Sequence, residues 1–229
     1  MAEEEVAEEV VELIFSTFSR MFQLFSTDLA GEVCTPIQLV AFPLREGQLA
    51  SGHDTYWFRT GLERYYAWRE SISRGWVEEE KALAVFADHI TRYLGDAHAG
   101  KLSLHRAGLF KQDRRDLLEG GGFLTVLALD LELRRDGQTS LDELVENLFH
   151  EYEGAHYSAE DVRVLAQHLA GTDLRSFFSR YVEGTDFLPL EQMLAETGLI
   201  ADWDLASSAV QLRRLPQDAE HTLFHALSP

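Results

Sequence analysis

One stretch constrains this chain more than any other. Between Arg114 and Arg135 the sequence is apolar for many consecutive residues, culminating in "FLTVLALDLEL" (Phe123–Leu133). A helix that is hydrophobic on nearly all sides must be surrounded by other elements. The stretch therefore predicts a buried central helix, ended by the polar turn "RRDGQTS". Everything else in the chain has to supply the wrapping.

Helix signals dominate the remainder. Val6, Val10, Ile14, Phe18, Met21, Phe22 and Phe25 recur at helical spacing, behind a glutamate cluster that suits the positive end of a helix dipole. A less regular stretch, Ser26 to Gly52, holds Pro36 and Pro43; "TPIQLVAFPL" within it reads as a short strand or an extended loop. "YWFRTGLERYYAWRESISRG" (Tyr56–Gly75) follows, then a helix from Val77 to about Leu94. "GDAHAGKLSLHRAGLF" is expected to be a loop.

Later boundaries are better marked. Ser140 with Glu143 forms an S-x-x-E capping box for "SLDELVENLFHEY". Ser158 opens "SAEDVRVLAQHLAG", which Gly171 closes, and Asp173 caps "LRSFFSRYVEG". Pro189 stands at the first turn of "PLEQMLAETG", with Gly198 after it. "SAVQLRRLP" reads as a strand or part of a tail. The expected fold is mainly all-α, with seven to nine helices and a short strand or hairpin near 36–44 and at the C-terminus. A helical domain is expected over 1–199 and a C-terminal extension over 200–229.

Composition narrows the function. Thirty-nine acids against 20 bases give a net charge of −19. A field of that sign repels phosphate backbones and anionic lipid, so neither nucleic acid nor membrane is an expected partner. No apolar run approaches the roughly 20 residues of a membrane helix. "MAEEEVAEEVVE" is acidic where a signal peptide would be basic, and the lone Cys34 excludes an intrachain disulfide. A cytoplasmic protein is the expectation.

The chemistry-bearing residues are scattered. Nine histidines are spread over the chain, with no H-E-x-x-H and no cysteine pair. His98, His105 and Asp96 share one loop and form the best remaining cluster; the plainer reading is a polar surface loop. No G-x-S-x-G supports a serine hydrolase. "EGGGF" (Glu119–Phe123) lacks the Lys and Ser/Thr of a phosphate loop, so it suggests a close helix approach or a flexible helix start. The aromatics of Tyr56–Gly75 form either the wall of a site or core.

Three stretches carry a resemblance: "YWFRTGLERYYAWRESISRGWVEEE", "GGFLTVLALDLELRRDGQTSLDELVENLF" and "YSAEDVRVLAQHLAGTDLRSFFSRYVEGTDFLPLEQMLAETGL". From about Val10 to Leu199 the chain resembles the catalytic domain of the glycyl-aminopeptidase family of gluzincin metallopeptidases. That family holds zinc with two His of H-E-x-x-H and a Glu on a later helix; the motif's own Glu activates water and a Tyr steadies the oxyanion. The resemblance places Ser19 and Gln23 at the two His positions and Arg20 at the general base. It places Thr60 at the third ligand, and Leu118 and Glu119 at the family's Tyr pair. Trp57, Gly61, Tyr65, Tyr66 and Gly122 match as scaffold.

The resemblance thus implies a dismantled site: no catalytic residue, no metal and no cofactor. It implies a non-catalytic metallopeptidase-like protein that binds a peptide or protein, through the relic cleft or an exposed face. Arg20, Trp57, Tyr65 and Tyr66 are the cleft-binding candidates. The family's additional β-rich and PDZ domains have no room here, and faces they would cover imply a homodimer or a protein partner. The alternatives are a structural subunit of a larger assembly, or a metal-dependent hydrolase using Asp96, His98 and His105.

Overall fold

A computed structural model describes residues 50–135, 139–152, 155–204 and 209–214. The expected first helix, the strand near 36–44, Cys34 and the final residues lie outside the described residues. Within them are eight α-helices, and the mainly helical fold expected from the sequence is what the structure shows.

The apolar run forms α4 (Arg115–Arg134), with Leu117, Leu118, Phe123, Leu124, Leu127, Leu129 and Leu133 all buried. Burying a side chain such as Phe123 in full stabilises the fold by roughly 2 kcal/mol. Two helices carry most of the wrapping: α1 (Tyr56–Ser73) and α2 (Glu79–Gly95) both pack on α4. Trp68 of α1 ties the pair together, its indole Nε1 donating to Ala82 O at 2.9 Å.

Glycine sets how closely these helices approach. A Cβ on Gly61 of α1 would sit 2.3 Å from the backbone oxygen of Gly122 on α4. A Cβ on Gly120 would sit 2.7 Å from His89 O of α2. "EGGGF" is therefore a close-approach surface used on two sides of one helix, the first of its two sequence readings.

The expected loop after α2 is partly helical. Ser103 Oγ accepts from Arg106 N at 3.3 Å and caps a single turn, α3 (Leu104–Ala107), which runs into a 3-10 turn at Gly108–Phe110. The periodicity of one turn is too short to register in the sequence. Next come α5 (Leu141–Glu151), α6 (Ala159–Ala170), α7 (Arg175–Tyr181) and α8 (Leu190–Glu196). Ser158 and Asp161 cap each other's backbone at the start of α6, and Gly171 closes it at φ 64°. At α5 the box is half made: Ser140 Oγ accepts from Glu143 N at 3.4 Å, but the Glu143 carboxylate accepts from Thr139 Oγ1 instead.

Two small sheets complete the described residues. β1 (Ala50–Ser51) pairs in parallel with β2 (His156–Tyr157). β3 (Leu199–Asp204) pairs antiparallel with β4 (Ala209–Arg214), from Leu199 opposite Arg214 to Asp204 opposite Ala209. β4 is the strand suggested by "SAVQLRR"; its partner β3 had no clear signal. The hairpin lies against α2 and α8, and Arg214 is ion-paired with Glu79. No described helix is long and apolar enough to cross a membrane.

Candidate functional site

Ser19, Arg20 and Gln23 lie outside the described residues. The other positions fall on two helices: Trp57, Thr60, Tyr65 and Tyr66 on α1, and Leu118 and Glu119 on α4. All are buried. Trp57 and Tyr65 are 0 % exposed, and Thr60 and Glu119 reach only 8 % and 9 %.

The tyrosine hydroxyls are already engaged. Tyr65 donates to Asp130 Oδ2 at 2.5 Å, and Tyr66 donates to Asp142 Oδ1 at 2.7 Å. Asp130 also accepts from Arg134 Nε at 2.9 Å and from the backbone N–H of Leu141 at 2.9 Å. Asp142 accepts from Arg69 Nη2 at 2.7 Å, and the Arg69 guanidinium lies 4.6 Å over the Tyr66 ring. Burial first, and the facing carboxylates second, push both phenols far above their ordinary range. Both hydroxyls are therefore held protonated at neutral pH. The network joins α1, α4 and the start of α5. Its sequence signal was Asp130, an acid inside "LALDLEL", since a buried carboxylate requires partners.

Glu119 occupies a different setting. Arg64 Nη2 of α1 lies 2.9 Å from its Oε1, Arg115 Nε of α4 lies 2.7 Å away, and Arg92 Nη1 of α2 lies 3.6 Å from its Oε2. Burial works to raise its pKa, but the Arg115 and Arg64 contacts outweigh that and the net shift is downward. Beside it, His89 stacks on Phe123 at 4.2 Å between centroids. Burial, then the Arg64 charge, lowers the imidazole to about 4, so it is neutral at physiological pH.

Zinc does not fit these residues. A Zn²⁺ site needs three donors of N, S or carboxylate O. Thr60 offers a neutral hydroxyl, Leu118 offers nothing, and the Glu119 carboxylate is engaged by three guanidinium groups that would repel a dication. The loop alternative is corrected by the structure. His98 pairs with Asp96, its backbone N–H at 2.7 Å and Nδ1 at 3.2 Å from Oδ1, but His105 turns elsewhere, edge-on to the His53 ring. Among the described residues no group of three or more His, Cys, Asp or Glu is placed to hold a metal. One His pair at four-residue spacing does exist in the sequence: His221 and His225 in "HTLFH", with Thr222 where the motif's Glu would stand. It lies outside the described residues.

No family model matches the chain, and no curated protein matches it. Among solved structures it is similar to an aminopeptidase N family protein from Idiomarina loihiensis, with a TM-score of 0.60 and 19 % identity. The match covers 73 % of this chain and 30 % of that one, so the chain corresponds to about a third of that protein's length. At this identity the likeness concerns the fold alone: the chain folds like part of that protein.

Proposed function

We propose that this chain is a non-catalytic relative of the glycyl-aminopeptidase family that now binds a protein or peptide. The observation that carries the reading is the Glu119 cluster. At a position the resemblance gives to the family's oxyanion-stabilising Tyr pair, the chain places a carboxylate tied to Arg64, Arg115 and Arg92. That arrangement has no free acid, base or ligand to offer a hydrolysis. Ser19, Arg20 and Gln23 point the same way by chemistry alone, being neutral or cationic where ligands and base would stand.

Burial of Trp57, Tyr65 and Tyr66 favours an exposed face over the aromatic wall as the binding surface. The same burial also favours the reading as a structural subunit of a larger assembly, in which side chains fill the old cleft. Both lack zinc chemistry. Elemental mass spectrometry on protein purified without chelator or His-tag should find near-zero zinc, and aminopeptidase assays should find no turnover. One zinc per chain, retained through dialysis and accompanied by chelator-sensitive hydrolysis, would overturn the proposal. Repeating the measurement on His221→Ala/His225→Ala tests whether any such zinc sits on that pair.

A further inference from the structure

Basic residues in this chain are outnumbered and, in the described residues, mostly claimed; outside the segment Lys101–Arg114, Lys81 on α2 is the one described cation that no carboxylate pairs. Every described arginine is ion-paired with a carboxylate except two, Arg106 and Arg114. Both lie in one short segment. Lys101 and Lys111 lie there too, and neither pairs with an acid: Lys101 Nζ donates to Ala97 O at 2.9 Å, and Lys111 Nζ sits 5.3 Å over the Tyr56 ring. Asp113 is the only acid from Lys101 to Arg115.

The same segment exposes apolar surface. Leu109 is 54 % exposed and its neighbour Phe110 is 50 % exposed, both on the 3-10 turn after α3. The turn is held firmly. A Cβ on Gly108 would lie 1.9 Å from His53 O, so the segment is pressed against the chain before α1. His105 N donates to Val182 O at 3.0 Å, and Asp113 N donates to Phe110 O at 2.9 Å. Arg114 Nη1 is likewise held by a backbone oxygen, Asp113 O at 2.7 Å, rather than by a carboxylate. Adjacent exposed apolar residues beside cations that no described carboxylate pairs, on a turn already ordered, have the features of a docking surface.

We propose that this tip binds an acidic peptide segment of a partner protein, one carrying an apolar side chain between carboxylates. The inference rests on the reading of the chain as a binding protein. Leu109 and Phe110 would cover the apolar side chain, and Arg106, Lys111 and Arg114 would meet the carboxylates. The net charge of −19 does not forbid this, because charges farther than about 8 Å are screened at physiological salt. A peptide touches only the tip. An anionic bilayer presents a broad plane to the whole acidic molecule, which disfavours it.

The test is a fluorescence-anisotropy titration of the full chain with two labelled peptides, one alternating Glu and Leu, the other alternating Glu and Ser. Phosphatidylserine vesicles are assayed in parallel by co-sedimentation. The Glu-Leu peptide should bind more tightly than the Glu-Ser peptide and lose affinity as salt rises. Arg106→Glu/Lys111→Glu and Leu109→Ser/Phe110→Ser should each weaken binding by about tenfold or more. These residues are exposed, so circular dichroism should be unchanged. No binding of the Glu-Leu peptide, equal binding by the variants, or binding of vesicles without peptide would each overturn the tip as an acidic-peptide site. Those results leave the zinc and turnover measurements untouched, so failure of this site and failure of the non-catalytic reading are told apart.

Discussion

Two charged regions of this molecule handle their arginines in opposite ways. Along α4, guanidinium groups are spent on buried carboxylates: Arg134 on Asp130, and Arg64, Arg92 and Arg115 on Glu119. On the segment from Lys101 to Arg114, the lysines and arginines are paired with no carboxylate among the described residues and stand beside exposed Leu109 and Phe110. In the first, each buried charge is costly to desolvate and must be answered, and where the answer comes from another element, as from Arg64 of α1 and Arg92 of α2 to Glu119, it ties helices together. The second adds little to the fold. Where stability and binding are carried by different residues, mutations should separate them.

The largest expected effect is at Asp130. It is fully buried and answers Tyr65, Arg134 and the backbone of Leu141 together. Asp130→Ala removes the acceptor these three donors share, though Arg134 keeps its contact with Asp142, and should destabilise the protein by about 4 kcal/mol. Asp130→Asn keeps the shape and one acceptor oxygen and should cost less. Urea unfolding of both variants checks this; equal and small losses would mean that the network is not what holds α5 onto α4.

His89 adds a pH dependence to the same region. Its folded pKa of about 4 lies below the ordinary 6.5, so the unfolded chain binds the proton first. The neutral form's contribution is fully present above pH 6.5 and is lost as pH falls toward 4. The window corresponds to about 3 kcal/mol. His89→Phe retains a ring against Phe123 and should flatten stability between pH 6.5 and 4 relative to the parent. An unchanged slope would place the acid sensitivity elsewhere.

Gly61 tests packing without charge. An alanine there would place its Cβ 2.3 Å from Gly122 O, against backbone that cannot rotate away. Gly61→Ala should separate α1 from α4 at a cost of about 2 kcal/mol by thermal unfolding. Gly171→Ala, at φ 64° with open space around it, should cost about 1 kcal/mol through backbone strain alone.

These residues were unequally legible in the sequence. The central helix followed from the long, mainly apolar run, and α6 from Ser158 and Gly171, because composition and caps are local. The function of "EGGGF" as a crossing surface was also within reach, since glycines in an apolar helix suggest close approach. The partners of Tyr65 and Tyr66 were not: they lie 65 and 76 residues away, and only the fold brings them to the hydroxyls. The sequence leaves the two tyrosines as either the wall of a site or core; the structure buries them and uses their hydroxyls as internal braces. β1 and β2 are two residues each, too short to show an alternating pattern. The docking tip was hidden for a further reason. Whether a cation meets a carboxylate depends on where the fold brings the acids of the other described elements, and no local pattern records that.

The smallest expected effect on stability is therefore the most informative. Leu109→Ser/Phe110→Ser removes apolar surface that the fold leaves in water, so thermal unfolding should shift stability by no more than about 0.5 kcal/mol. The same variant should lose about tenfold in affinity for the Glu-Leu peptide. A large loss of stability would instead assign Leu109 and Phe110 to the packing of the fold, and the contrast between a braced core and an unclaimed tip would not stand. A neutral change in stability with lost binding would show that the two regions do separate tasks, one holding α1, α2 and α4 together and the other meeting a partner.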